Sequence, residues 1–314
     1  MERTKLFPMV QFKKDTWEID EFDCASIYLL IGTEKAMVID AGMGLGDLRG
    51  AVEMITDKPI ICVISHGHID HTGNARQFDE VWINEKDAAA PIPQSFARRQ
   101  WDIERIARRQ KGCIGAPFTM FNLYPYDIDE DLAPEVEEPM PSLHYMTDGT
   151  QFDLGGGRIV TAYDCPGHSA GEMVFLDEQT RTLFAGDALN FNLGVSAQPL
   201  ETTLKYLKRL QSMSDKYDGI WNGHHDFRAL GAPLDDDCLT NCIALMEEAV
   251  AGNINIVETP SFWGQSVPLR RGTRTNDQTN APAAYKGNLM NGAQRVTLRK
   301  GRNFLGIDPG NIRA

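Results

Sequence analysis

A chain of 314 residues, 42% of them hydrophobic, has the length and apolar content to bury a sizeable core. Its formal charge of −13, from 31 basic and 44 acidic residues, disfavours nucleic acid and other polyanions as partners. No apolar run approaches the ~18–20 residues that cross a membrane, and MERTKLFPMVQFKKDTWEID lacks the apolar stretch and cleavage site of a signal peptide, so the expected location is the cytoplasm.

Along the chain, SIYLLI and AMVID flank the turn Gly32-Thr33-Glu34-Lys35, which predicts a β-hairpin ending in Asp40 and a glycine-rich segment. DLRGAVEMIT has apolar residues at helical spacing, with Asp47 as its N-cap. PIICVIS reads as a short buried strand, and SHGHIDH follows at its C-terminal end. Strand, helix, strand and a ligand-rich loop make a βαβ unit, with the loop where α/β folds place their sites. NARQF then reads as the start of a helix, and VWINEKDAA as a strand leading into another.

The rhythm breaks from about Gln94 to Tyr145. This stretch holds the basic amphipathic FARRQWDIERIARRQK, the aromatic FTMFNLYPYD and the acidic, proline-rich DIDEDLAPEVEEPMP. It is too small and polar for its own core, which makes it an insertion or lid within one domain spanning residues 1–314. Its aromatics Phe118, Phe121, Tyr124 and Tyr126 suit a pocket wall, or equally a contact between copies in a homodimer. Arg98, Arg99, Arg105, Arg108, Arg109 and Lys111, like Arg270, Arg271 and Arg274 later on, read as solvated faces.

From Met146 the pattern repeats in outline. DGTQFDLGGGRIVTAYDCPGH and EMVFLDEQTRTLFAGD are paired strands with glycine turns. ETTLKYLKRLQSM is an amphipathic helix with Leu204, Leu207 and Leu210 on one side, and IWNGHHD is a strand entering another ligand-rich loop. CLTNCIALMEEAVAG is a helix ending at Gly252. A C-terminal extension from about residue 260 contains Phe262-Trp263 and one strand-like run, AQRVTLRK. The six cysteines (Cys24, Cys62, Cys113, Cys165, Cys238, Cys242) are scattered as reduced thiols would be, with Cys238 and Cys242 read as small buried residues.

Six of the seven histidines, all but His144, fall in three loops that each follow a predicted strand. Asp40, Asp70 and Asp187 stand in the same kind of position. Side chains placed by packing would scatter, whereas clustering at strand ends is what a site built from loops on a rigid sheet requires. In an extended loop His66 and His68 project to one side and can share one ion, while Asp70 and His71 turn toward a second. His168 completes the first set, one of His224 and His225 completes the second, and Asp187 bridges. Imidazole and carboxylate sets suit zinc, with iron or manganese as alternatives.

In this order, Asp40, His66-x-His68-x-Asp70-His71, His168, Asp187 and a late Gly-His, the chain resembles the metallo-β-lactamase superfamily over roughly residues 20 to 230. The resemblance implies an α/β fold, a four-layer αββα sandwich of two mixed β-sheets, with two divalent metal ions, Zn2+ first among them, at one edge. It implies His66, His68, Asp70, His71, His168, Asp187 and His224 as the metal set. His224 is preferred over His225 because it follows Gly223 as the family pattern has it. Asp40 is expected to orient a ligand rather than touch metal, and His144 has no place in the pattern.

Two ions flanking a water lower its pKa toward neutrality, so the implied enzyme is a binuclear hydrolase whose bridging hydroxide attacks an ester, lactone or thioester of a small molecule. Asp70 is then both ligand and participant in proton transfer. Phosphodiester hydrolysis is the alternative, and a persulfide-type dioxygenase with mononuclear iron a minor one. An aspartate at position 187 argues against a β-lactamase, where a cysteine or serine usually stands. A degenerate binding module is disfavoured because no expected ligand is missing.

Overall fold

The computed structural model describes residues 2–21, 25–88, 95–101, 103–104, 128–134, 138–195, 197–224 and 228–252, with the strand residues 265–266, 288–289, 296–300 and 303–307. Outside these lie His225, the four aromatics of the insertion, Phe262-Trp263 and the basic residues from Arg105 to Lys111 and from Arg270 to Arg274. The chain divides into two compact units. The first comprises Met1–Asp164, Gly171–Asp187 and Lys216–Pro233; the second comprises Cys165–Ala170, Ala188–Asp215 and Leu234–Ala314.

The first unit holds two mixed sheets. One has seven strands in sequential order: β1 (Met9–Lys13), β2 (Thr16–Glu21), β3 (Ala25–Ile31), β4 (Ala36–Ile39), β5 (Ile60–Val63), β6 (Glu80–Asn84) and β7 (Ser142–Met146). The first four run antiparallel, and β4 to β7 run parallel. The other sheet has five strands. In chain order these are β8 (Gln151–Asp153), β9 (Ile159–Asp164), β10 (Met173–Asp177), β11 (Thr182–Phe184) and, parallel to β11, β13 (Gly219–Trp221).

The two sheets meet face to face. Alternate residues Tyr28, Leu30, Met37, Ile39, Ile61 and Val63 of the first pack with Phe152, Val160, Ala162, Phe175, Phe184 and Trp221 of the second. The other face of the first sheet buries Ile27, Leu29, Val38 and Cys62 against helix α1 (Leu48–Glu53), through Leu48, Ala51 and Val52. Asp47 caps that helix as its sequence predicts, its carboxylate accepting from Gly50 N at 2.8 Å.

The buried Arg158 joins strand ends of both sheets. Its Nε and Nη2 donate to Asp177 Oδ2 at 3.0 and 2.6 Å, and its Nη1 to the carbonyls of Asp15 and Ile31 at 2.8 and 2.9 Å. A guanidinium survives burial only when nearly every donor is used like this.

Where apolar runs were continuous or alternating, sequence and structure agree: the β3–β4 hairpin, α1, β5 and the β8–β11 meander stand where expected. NARQF forms only a 3-10 turn, Ala75–Gln77. The hairpin of β1 and β2 was not anticipated. The segment Ile69–Thr72 is a single helical turn, α2, and Ile128–Asp131 another, α3.

The second unit contains strand β12 (Asn192–Val195), parallel to β17 (Asn303–Ile307), which pairs antiparallel with β16 (Val296–Lys300). Two-residue strands β14 (Gln265–Ser266) and β15 (Asn288–Leu289) pair with each other. Helices α4 (Leu200–Ser212) and α5 (Cys238–Val250) are joined by Lys208 Nζ to Glu247 Oε1 at 2.7 Å. The buried stripe of α4 is Leu200, Thr203, Leu207 and Leu210, with Leu204 half-buried at its margin. Cys238 and Cys242 are buried free thiols. Among the described residues, no helix is long and apolar enough to cross a membrane.

Candidate metal centre

Asp40 directly follows β4, and its backbone amide still bonds Val63 O of β5 at 2.8 Å. Its φ of +66° ends the strand and turns its carboxylate across toward the next loop. Aspartate tolerates this left-handed conformation better than most residues. Oδ1 accepts from Ser65 N at 2.7 Å, while Oδ2 meets Ser65 Oγ and His71 Nδ1, each at 2.8 Å.

The motif after β5 changes from extended chain to a helical turn midway, yet its imidazoles stay together, the His66 and His71 ring centroids 4.1 Å apart. His68 is extended, with φ −73° and ψ 156°, and serves as N-cap of α2. His68 therefore projects from extended chain, its ring centroid 4.5 Å from that of His66. Asp70 and His71 project from the helical turn. His71 is buried, its Nδ1 occupied by Asp40, while its Nε2 makes no hydrogen bond and lies 3.8 Å from both Asp70 Oδ1 and Asp187 Oδ1.

Asp187 follows β11 and His224 follows β13. His224 Nε2 is 3.2 Å from Asp187 Oδ2 and 3.6 Å from Asp70 Oδ2. This crowding requires glycine at position 223: a Cβ there would sit 2.6 Å from His71 Cε1 and 2.8 Å from Asp187 Oδ1. The ligand atoms of His66, His71 and Asp187 lie within 4.8 Å of one another, as do those of Asp70, His71 and His224.

His168 stands in the second unit, in the loop Cys165–Ala170. Within that unit its Nδ1 lies 3.2 Å from Gly194 O, which assigns the ring proton to Nδ1 and the lone pair to Nε2. His144 belongs to none of these groups; on β7 it stacks against Trp82, centroids 4.7 Å apart.

The electrostatics favour a cation here. Burial alone would lower the pKa of His71, but the carboxylates of Asp40, Asp70 and Asp187 outweigh it and carry the imidazole up to about 9. Without an ion, the nest of acids recruits a proton to the same spot. Burial would likewise raise Asp70, yet the neighbouring His71, His224 and His68 imidazoles hold its carboxyl below the ordinary 3.8. An unpaired buried imidazole nitrogen facing two carboxylates fits a divalent ion of the zinc type.

Three supporting residues carried no sequence signal. Glu172 is fully buried; its Oε1 accepts from Asp187 N at 2.9 Å and lies 3.5 Å from His66 Nδ1. Burial, reinforced by the charge of Asp187, pushes its carboxyl well above the usual range. Asp87, after β6, accepts from Gly67 N at 3.2 Å and Gly171 N at 2.7 Å, holding the loop between His66 and His68. Glu21 accepts from the amides of Met43, Gly44 and Leu45, the last at 2.7 Å, so the glycine-rich loop is filled by the chain's own carboxylate.

Asp40→Asn tests the orientation of His71. An amide keeps the acceptor toward Ser65 N but opposes the imidazole Nδ1–H with N–H. Metal affinity is expected to fall roughly 10–100-fold with the fold retained, read by competition against a chromophoric chelator; unaltered affinity would remove Asp40 from the site.

A family model described as the metallo-beta-lactamase superfamily matches residues 22–226. Among curated proteins, the acyl-coenzyme A thioesterase MBLAC2 of Homo sapiens is 29% identical over 180 residues, covering 52% of this chain and 58% of that protein. MBLAC2 of Gallus gallus is 25% identical over 206 residues, covering 62% of this chain and 68% of that protein. The chain thus spans under two thirds of the human relative's length.

Among solved structures, a metallo-beta-lactamase from Pontibacter korlensis aligns with a TM-score of 0.51 and 18% identity, over 77% of this chain and 99% of that one. The sec-alkylsulfatase Pisa1 from Pseudomonas sp. aligns with a TM-score of 0.54 and 14% identity, over 79% of this chain and 42% of that one. Identities this low speak to the fold alone.

Proposed function

Because this chain belongs to the metallo-β-lactamase superfamily, we propose that it is a binuclear metal-dependent hydrolase that cleaves a thioester, with acyl-coenzyme A as its class of substrate. The observation that carries the metal reading is His71 Nε2, buried, without a hydrogen bond and 3.8 Å from two carboxylates. The thioester is supported by the two relatives that carry that activity in their names.

In this reading His66, His68 and His168 would hold one ion and Asp70, His71 and His224 the other, with Asp187 available to either; zinc would suit such donors. Two divalent ions, when bound, lower the pKa of water toward neutrality and polarise the scissile carbonyl. Asp70, held ionised, accepts a hydrogen bond from the attacking water and takes its proton. The acyl carbon gains the oxygen, the carbon–sulfur bond breaks, and the proton leaves with the thiol. Asp40 and Glu172 keep the His71 and His66 rings in place. His225 lies outside the described residues, and His224, already beside Asp70 and Asp187, fills the role.

The test is an initial-rate panel of acyl-coenzyme A thioesters, lactones, aryl esters, β-lactams and a phosphodiester, on zinc-loaded and chelator-treated protein. The expected result is chelator-sensitive thioester turnover restored by Zn2+, with two zinc per chain by elemental analysis. Turnover of the phosphodiester alone would overturn the carbonyl assignment. One iron per chain would overturn the binuclear hydrolase.

A further inference from the structure

The loop carrying His224 is held at three consecutive carbonyls. The Tyr28 hydroxyl donates to Asn222 O at 2.5 Å, the Ser26 amide to Gly223 O at 2.8 Å, and Arg228 Nη2 to His224 O at 3.0 Å. Arg228 Nη2 also donates to Asn222 Oδ1 at 2.7 Å, and its Nη1 to Ala232 O. A guanidinium suits acceptors spread like this because it offers a rigid fork of donors.

These donors surround one acid. Glu18 Oε1 accepts from Ser26 Oγ at 2.7 Å and lies 3.4 Å from Tyr28 Oη and 3.8 Å from Arg228 Nη2. Its Oε2 accepts from Gly231 N at 2.5 Å. The side chains of Arg228 and Glu18 are 3% and 0% exposed. A buried guanidinium is costly unless paired, and a bare positive charge near a cation site would repel the ion. Glu18 cancels it. What remains is a neutral clamp on the backbone that aims His224 Nε2 at Asp70 and Asp187.

We propose that Arg228, with Glu18 as its counter-ion, is a positioning residue for the second ion: it fixes the His224 backbone so that the imidazole is preset for an ion shared with Asp70 and Asp187. The inference rests on the binuclear reading of the site. It goes beyond that reading in separating the two ions, because no contact of Arg228 involves His66 or His68.

The experiment is a Co2+ titration of the full metal-free chain, followed by calorimetry and visible absorption, with urea unfolding run in parallel. Wild type is expected to take two equivalents in two resolved steps. Arg228→Met should weaken the second step roughly 10–100-fold and leave the first unchanged. His224→Ala should lose the same step, and the double variant should lose no more than His224→Ala alone. Tyr28→Phe, which removes a single donor to Asn222 O, should shift the second step in the same direction and serves if Arg228→Met unfolds early.

Two steps of wild-type affinity in Arg228→Met, equal weakening of both steps, or additive losses in the double variant would each overturn the proposal. A wild-type chain that takes one equivalent would instead overturn the binuclear reading, and the clamp with it.

Discussion

Replacing Asp187 by alanine is expected to lower turnover by about three orders of magnitude and to remove one of two metal ions. The carboxylate reaches both sides of the cluster: Oδ1 is 3.8 Å from His71 Nε2, and Oδ2 is 3.2 Å from His224 Nε2. In the proposed site it is the one ligand both ions share. An ion in that place stabilises developing charge by several kcal/mol, and each ~1.4 kcal/mol is a factor of ten in rate. The variant should nevertheless fold. In the metal-free state its removal relieves repulsion from Asp40 and Asp70 but also takes away part of the attraction that holds a proton on His71. Metal-free Asp187→Ala is therefore expected to unfold at a temperature close to that of metal-free wild type. The readouts are kcat on an acyl-coenzyme A, zinc per chain, and thermal unfolding with and without Zn2+. Near-normal kcat with both ions retained would show that Asp187 does not bridge.

The proposed ligands were legible in sequence, and the residues packed around them were not. Metal-binding side chains must converge, and a sheet lets them converge only at strand ends, so six histidines in three loops betray the site without any knowledge of pairing. Glu18, Glu172 and Arg228 work through partners that sequence does not reveal. Glu18 bonds Gly231, 213 positions away. Glu172 bonds Asp187 across the β10–β11 hairpin. In sequence each reads as an ordinary surface charge, and only the fold makes it a buried acceptor or donor.

The same physics hid the hairpin of β1 and β2. Its second strand, TWEIDE, buries Glu18, Asp20 and Glu21. Burial usually writes an apolar alternation, but here several inward positions are taken by carboxylates, of which Glu18 and Glu21 accept from loop amides at Gly231 and Leu45. A strand that buries Glu18, Asp20 and Glu21 beside Trp17 and Ile19 loses the apolar alternation and carries the pattern of a loop. The strands β3, β5 and β10 needed no such service and showed plainly as IYLLI, IICV and MVFLD.

Asp70→Asn should be nearly as damaging as the loss of Asp187, for a different reason. The amide has the shape of the carboxylate and can still offer one oxygen to an ion, so partial retention of the second metal is expected. It cannot take a proton. A positioned general base contributes roughly 10²–10⁴ in rate, and the variant should lose kcat on that scale while KM moves little. The electrostatics define the pH behaviour. Burial raises the Asp70 carboxyl, but the surrounding imidazoles of His71, His224 and His68 bring it below 3.8. A group titrating that low is ionised throughout the neutral range, so in wild type its protonation removes activity only as pH falls below the ordinary carboxylate value. A loss of activity between neutrality and that value must belong to another group. It should survive, at reduced amplitude, in the residual activity of Asp70→Asn. Stopped-flow rates across pH on wild type and variant decide the matter. If the acid limb vanishes in Asp70→Asn, Asp70 titrates within the working range and its environment is less cationic than the cluster of three imidazoles implies. If kcat remains within tenfold of wild type with two ions bound, the proton goes elsewhere and Asp70 is a ligand alone.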